Sequence, residues 1–239
     1  MKKVLKKILK RLILLLLLVG LCFSAFLITS GYALYKEATK HQSVAEKVLS
    51  IRRNEDYVTL EEIPDIYEKA VISAEDRRFY KHIGVDFSSV LRALFANLKS
   101  GDFSQGGSTI TQQLAKNMFF SQEKSLSRKA AELFVVYQLE DDYAKDVILE
   151  LYINTVYYGD GYYSIKDAAK GYFNCSPLEM SDYECTLLAG VPNAPSVYAP
   201  SKNREVTKKR HEYVLDSMVK TKAITKAEKE RILKSAEND

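Results

Sequence analysis

Two glutamates and a small set of cations carry the acid–base chemistry this chain can offer. In "AEDRRFYKHIG", Glu75 and Asp76 end a stretch whose helical face is apolar at Ala70, Val71 and Ala74. In "RKAAE", Arg128, Lys129 and Glu132 fall together, with Arg128 and Glu132 one helical turn apart. Two carboxylates on separate helices can serve as acid and base. Taken alone, Glu132 reads better as half of a helix ion pair worth about 0.3–0.5 kcal/mol, and Glu75 divides evenly between a catalytic and a structural reading. His82, seven residues after Glu75, reads better as a core histidine bonded to backbone than as a base.

The stretch "QGGSTITQQLAKN" holds a second kind of chemistry. On a helix, Gln113, Lys116 and Asn117 share one face and Ile110 and Leu114 another. Gly106 and Gly107 allow close backbone approach, and the N–H groups of Ser108 and Thr109 would point outward at the helix start. Helix N-termini attract anions, and Lys116 adds a full positive charge. The combination reads as a phosphate cradle. It reads at least as well as an ordinary capped helix with a solvated face, because it is not the phosphate-loop motif.

The elements that must position these residues are helical. Thr59 and Glu62 have capping-box spacing, and Pro64 suits a first turn, ahead of "PDIYEKAVISAEDRRFY". Amphipathic segments follow at "SSVLRALFANL", "TITQQLAKNMFF", "SLSRKAAELFVVYQLE" and "AKDVILELYINTVY". After the turn-rich "GDGYY", Ser164 with Asp167 and Ser181 with Glu184 repeat the capping spacing. "PNAPSVYAP" is a Pro-punctuated loop. Two C-terminal amphipathic helices read as packing on the outside. No period-2 strand competes, so the expected fold class is mostly α.

Charge locates the rest. Six of the 35 basic residues lie in the first eleven positions, leaving 29 against 31 acidic residues elsewhere. The folded part therefore lacks the basic surface a nucleic-acid binder needs. From Leu12 to Tyr35 no residue is charged, long enough to cross a bilayer as a helix. The lysines before it predict a cytoplasmic N-terminus and an extracytoplasmic remainder. A cleaved signal peptide is disfavoured, because the apolar run exceeds an h-region of roughly 7–15 residues. A lipoprotein is disfavoured by Leu21 before Cys22. The expected organisation is a basic tail at 1–11, a transmembrane helix at 12–35, a stalk at 36–58 and one domain at 59–239. Cys175 and Cys185 permit a disulfide on the exported side, but free thiols are at least as expected. His41, His82 and His211 are scattered, so no zinc site is indicated.

Taken in order, "EDRRFYKHIGVDF", "GGSTITQQLAKN", "RKAAELFVVYQLE", "ILELYINTVYYGDGYYSIKDAAKGYF" and "LLAGVPNAPSVYAP" strongly resemble the five motifs of the peptidoglycan glycosyltransferase family, which is also the N-terminal module of class A penicillin-binding proteins. About 40 residues follow, too few for a transpeptidase domain, so the resemblance is to the monofunctional, membrane-anchored transglycosylases. It implies a lysozyme-like α fold with a smaller hydrophobic jaw lobe near the membrane, and lipid II and the growing glycan chain as substrates. Glu75 falls at the family's catalytic base. Glu132 matches its second, catalytic-site glutamate, assigned to orienting the surroundings of Glu75, the basic side chains or a metal. Lys116, Arg128 and Lys129 become the groups that stabilise the leaving pyrophosphate. Asp76, Phe79, His82, Ser108, Thr109, Gln112, Gln113 and Asn117 match positions expected to bind substrate or shape the cleft.

Lys124 stands where family members commonly carry an arginine on the pyrophosphate, which keeps charge but loses the bidentate fork. Ser164 stands where glycine is usual and suits an N-cap. The resemblance leaves room for a divalent cation, magnesium or manganese, and for no organic cofactor. The bilayer and other cell-wall synthesis proteins are the expected partners. Phe119 and Phe120, in the region after Phe103, are read either as dipping into lipid or as core. The competing functions are a lytic transglycosylase or muramidase, and an inactive scaffold of the cell-wall machinery.

Overall fold

A computed structural model describes residues 2–100, 106–121 and 125–235 of the chain. Its described residues form α-helices and short 3₁₀ turns with no strand, and one isolated antiparallel bridge joins Gly159 and Tyr162. The fold is mostly α, as expected. Lys124 and Phe103 lie outside the described residues.

Helix α1 (Lys2–Ala38) is followed by α2 (Val44–Arg52), α3 (Asp65–Glu75), α4 (Phe87–Ser100), α5 (Ile110–Phe119) and α6 (Leu126–Asp142). Then come α7 (Lys145–Ile153), α8 (Ile165–Phe173), α9 (Asp182–Leu188), α10 (Pro195–Tyr198), α11 (Arg204–Thr221) and α12 (Lys226–Ser235). The hub is α7. Every residue from Ile148 to Ile153 is buried, Glu150 included. Around it pack Ile110, Leu114 and Ala115 of α5, and Val135 and Leu139 of α6. Tyr67, Ala70 and Val71 of α3 join the same core. Each fully buried leucine or isoleucine contributes about 1.5–3 kcal/mol relative to exposure, so this core fixes the ends of α3, α5 and α6.

Two expectations about organisation are corrected. The segment 36–58 is not a stalk. Val44, Val48 and Val58 are buried in the core, and a full capping box of Ser43 and Glu46 starts α2. Glu150 on the hub accepts from the Tyr57 hydroxyl at 2.8 Å and the Leu60 amide at 3.2 Å. Asn154 accepts from the Val58 amide at 2.9 Å and donates to the Val58 carbonyl at 2.8 Å. The polar groups of α7 thus stitch this segment onto the body. Nor does α11 lie outside: it packs across α3 and α9 and reaches the site described below.

Local signals are mostly realised. The Thr59–Glu62 box forms, but it closes a one-turn 3₁₀ element at Leu60–Glu62, and α3 begins after Pro64. Ser164 caps α8 by accepting from the Asp167 amide, and Ser181 and Glu184 box the start of α9. Cys175 and Cys185 are free thiols.

Among the described helices, α1 is the one long and apolar enough to cross a membrane, with a mean hydropathy of 2.9 in its best window. A second apolar surface lies on α4. Phe87, Val90, Leu91, Leu94, Phe95 and Leu98 recur at helical spacing and are all exposed. Phe119 and Phe120, by contrast, are half-buried against the core.

Candidate active site

The last residue of α3 is Glu75, and it looks into a polar cleft of about 610 Å³. Its walls come from α3, α4, α5, the turn before α10, and α11. Five cations, Arg77, Arg92, Lys116, Arg210 and Lys220, line the cleft around this one carboxylate. Ser108, Gln113, Asn193, Tyr198 and Tyr213 complete much of its surface.

Both oxygens of Glu75 are held. Gln113 Nε2 donates to Oε2 at 3.0 Å, and Arg210 Nη2 donates to Oε1 at 2.8 Å. Behind Gln113, the fully buried Tyr152 donates its hydroxyl to the amide Oε1 at 3.3 Å. Burial, then the charge of Glu75, pushes that phenol well above its ordinary range, so it is a donor at any working pH. The order Tyr152, Gln113, Glu75 leaves the amide one favourable orientation. A carboxylate has about four lone-pair sites, so Glu75 keeps acceptor capacity for a hydroxyl in the cleft.

Arg210 is itself fixed on every side. Its Nε donates to the Gly190 carbonyl at 2.9 Å, and its guanidinium lies 5.5 Å from the Tyr198 ring centre and 4.9 Å from that of Tyr213. Gly190 permits this approach. A Cβ there would sit 3.1 Å from Val214 Cγ2 and 3.2 Å from Arg210 Cγ.

Beside the cleft, Glu132 is fully buried on α6. Arg128 pairs with its Oε1, and Lys129 Nζ stands 2.8 Å from its Oε2. Lys129 also donates to Ser108 Oγ at 3.1 Å, which brings it to the cleft wall. Burial, then the charges of Arg128 and Lys116, pushes the Lys129 ammonium down to about 8, despite the carboxylate beside it. Burial and Arg128 push Lys116 down too, while Glu75 pulls it up. These cations are close enough to repel one another. Glu132 answers one of these three positive charges, and the excess favours an anion in the cleft.

The remaining expected residues serve the frame of the site more than its surface. The Asp76 carboxylate accepts from His82 Nε2 at 2.9 Å and from the Ile110 amide at 3.1 Å. It therefore fastens the end of α3 to the start of α5. His82 is nearly buried and paired with that carboxylate, not with backbone, and Phe79 beside it is fully buried. Thr109 accepts from the Gln112 amide, and Gln112 accepts from the Thr109 amide, in a closed capping box. The cradle's amides are therefore engaged within the protein: those of Thr109 and Gln112 by the box, and that of Ile110 by Asp76. Gly107 packs on α4, where a Cβ would lie 3.0 Å from Val90 Cα. Asn117 lines a separate depression with Asn54 and Tyr163, one residue around the helix from Lys116.

Sequence reasoning missed Arg210, Tyr152, Arg77 and Arg92. One signal was readable: Arg210 has no acid at three or four residues on either side, where Val206, Thr207, Tyr213 and Val214 stand. An arginine without a helix partner needs one elsewhere.

Residues 41–219 match the family described as Transglycosylase. The chain is 41% identical over 189 residues to penicillin-binding protein 1A of Neisseria lactamica, covering 78% of this chain and 24% of that protein. It is 42% identical over 178 residues to penicillin-binding protein 1A of Neisseria gonorrhoeae, covering 74% and 22%. It is 42% identical over 165 residues to penicillin-binding protein 1F of Bacillus subtilis (strain 168), covering 69% and 23%. The chain thus spans about a quarter of the length of the curated relatives it matches. The match over residues 41–219 takes in Glu75, Glu132, Lys116, Arg128, Lys129 and Arg210, and the chain belongs to the transglycosylase family, enzymes of glycosyl transfer with a lysozyme-like fold.

Proposed function

We propose that this chain polymerises peptidoglycan glycan strands from lipid II, releasing undecaprenyl pyrophosphate. The observation that carries the reading is one carboxylate in a cleft lined by five cations, Arg77, Arg92, Lys116, Arg210 and Lys220, with Lys129 against its wall at Ser108. A glycosyl hydrolase needs the carboxylate but has no anionic leaving group to hold. A glycosyl pyrophosphate donor needs both.

In this reading Glu75 takes the proton of the acceptor's 4-hydroxyl as the oxygen attacks the anomeric carbon of the donor sugar. The bond to the pyrophosphate oxygen breaks with its electron pair, the carbon inverts, and Glu75 later gives the proton to solvent. Lys116, Lys129 and Arg128 stabilise the charge that gathers on the leaving group. Arg210 and Gln113 hold the base in line, and near-attack geometry of this kind is worth several kcal/mol. Glu132 keeps Arg128 and Lys129 aimed.

The residues present do not fit a resident divalent ion. Among the described residues no three metal-ligating side chains gather, and both glutamates are engaged by cations.

The anchor supports the same reading. A substrate with a bilayer-embedded tail is met most often by an enzyme confined to the same surface. The basic residues before Leu12 favour a cytoplasmic N-terminus and an extracytoplasmic catalytic domain. The exposed apolar face of α4 suits contact with the outer leaflet.

The test is incubation of the full chain with labelled lipid II in lipid vesicles. A ladder of glycan strands, with one undecaprenyl pyrophosphate released per bond, is expected. Cleavage of preformed glycan without a ladder would overturn the reading in favour of a lytic enzyme.

A further inference from the structure

The anchor helix does not end at the membrane. It runs unbroken to Ala38, and its last third packs along α6. Ser30 and Ser127 share a hydrogen bond of 3.0 Å between their hydroxyls. Gly31 lies so close to α6 that a Cβ there would stand 2.6 Å from Ala130 Cβ and 3.0 Å from its carbonyl carbon. Phe134 meets Tyr32 edge-on at 5.4 Å and stacks on Tyr35 at 5.6 Å between ring centres. The pairs run Ser30 with Ser127, Gly31 with Ala130, then Tyr35 with Phe134, so the two helices rise together away from the lipid.

This packing fixes a height. A hydrocarbon core of about 30 Å is crossed by about 20 residues at about 1.5 Å each. Counted from Leu12, the first residue after the basic tail, the core ends near Gly31. Tyr32, Tyr35 and Lys36 then fall in the interfacial layer that tyrosine and lysine favour. Arg128 and Lys129 sit on α6 between the residues that touch Ser30 and Gly31. They therefore stand at the level of the lipid phosphates. Leu126, one turn below Lys129, is exposed, as a side chain entering the acyl region would be.

We propose that the C-terminal third of α1 is a rigid mount that sets the α6 cations at the depth of a lipid-linked pyrophosphate. A flexible tether would raise encounter frequency only. A mount also sets the register between enzyme and bilayer, so the rate depends on the match between span length and membrane thickness. The inference rests on the lipid-pyrophosphate reading above. Tilting does not relieve a mismatch freely, because α1 cannot tilt without turning the domain docked on it.

The test lengthens the span without touching the mount. Four leucines inserted after Leu16 add about 6 Å and leave Ser30–Ala38 intact. Polymerisation is measured for wild type and variant in vesicles of dioleoyl phosphatidylcholine and of the thicker dierucoyl phosphatidylcholine. A water-soluble short-chain donor is assayed in parallel. Wild-type polymerisation of lipid II in either bilayer establishes the reaction separately; its absence from both would overturn the parent reading and the mount with it. In the thinner vesicles the variant should lose about tenfold, the scale that mismatch over such a distance carries. The thicker vesicles should restore the variant and slow the wild type, and the soluble donor should not distinguish the two. Equal rates for both proteins in both bilayers would overturn the mount, as would a variant that stays slow in both.

Discussion

Arg210 offers the sharpest perturbation, because its role came from the fold and not from a motif. Replacing it with methionine keeps most of the stem that lies between Tyr198 and Tyr213 and deletes the fork. The deletion removes the 2.8 Å pair with Glu75 and the 2.9 Å bond to the Gly190 carbonyl. Both partners are well buried, with side chains 11% and 6% exposed. Removing one half of a buried ion pair costs about 3–5 kcal/mol, because the other charge is stranded. Gln113 and the open cleft keep Glu75 partly solvated, so the lower end, about 3 kcal/mol, is expected. For a domain of this size that lowers the midpoint of thermal unfolding by roughly 6–12 °C. Catalysis should suffer separately. With Oε1 released, Glu75 samples orientations out of line with the acceptor, and kcat should fall about 100-fold while the protein remains folded at 25 °C. Arg210→Lys keeps the charge and can reach Glu75 or Gly190 but not both, so it should lie between. The assays are polymerisation kinetics on lipid II and thermal unfolding by circular dichroism. A methionine variant within 1–2 °C of wild type and with unchanged kcat would refute the argument that this pair builds the site.

Other expectations follow from the same contacts. Lys129 loses its proton above about 8 in the free enzyme, so kcat/KM should fall as pH rises through that value. Lys129→Arg, which does not titrate there, should remove that limb; a limb that persists would assign it elsewhere. Tyr152→Phe should lower kcat about tenfold with little change in KM, since it loosens Gln113 and touches no substrate; a rise in KM alone would contradict this. Asp76→Asn weakens the tie between His82 and the Ile110 amide, and should cost about 1–3 kcal/mol in stability by denaturant titration.

What the sequence disclosed depended on how local the cause was. Capping spacings at Ser164 and Ser181 act over three residues and were legible in the sequence, while Thr59 began a shorter element and the boxes at Ser43 and Thr109 emerged only in the structure. Glu75 and the α6 cations lie in compact motifs, and the structure places Glu75 in the cleft and Lys129 against its wall at Ser108. The segment 36–58 was misread because its apolar set is sparse; what holds it are Glu150 and Asn154, more than 90 residues away. Arg210 reaches Glu75 across 135 residues, a distance over which periodicity says nothing. Thr109, Gln112, Asp76 and His82 stood in motifs and were expected in the cleft. Asp76 instead bonds His82 and the Ile110 amide, and Thr109 pairs with Gln112 at the junction of α3 and α5, which a motif alone cannot distinguish from ligand binding. Lys124 lies outside the described residues, so its expected contact with pyrophosphate stands as a proposal.

The central claim is that Glu75 is the base of a polymerising transfer. The most direct measurement is lipid II turnover by Glu75→Gln beside wild type, with thermal unfolding and lipid II binding recorded on the same samples. The account expects a folded variant that still binds lipid II and loses polymerisation by about 100-fold or more. A folded variant that lays down glycan strands at close to the wild-type rate would contradict it.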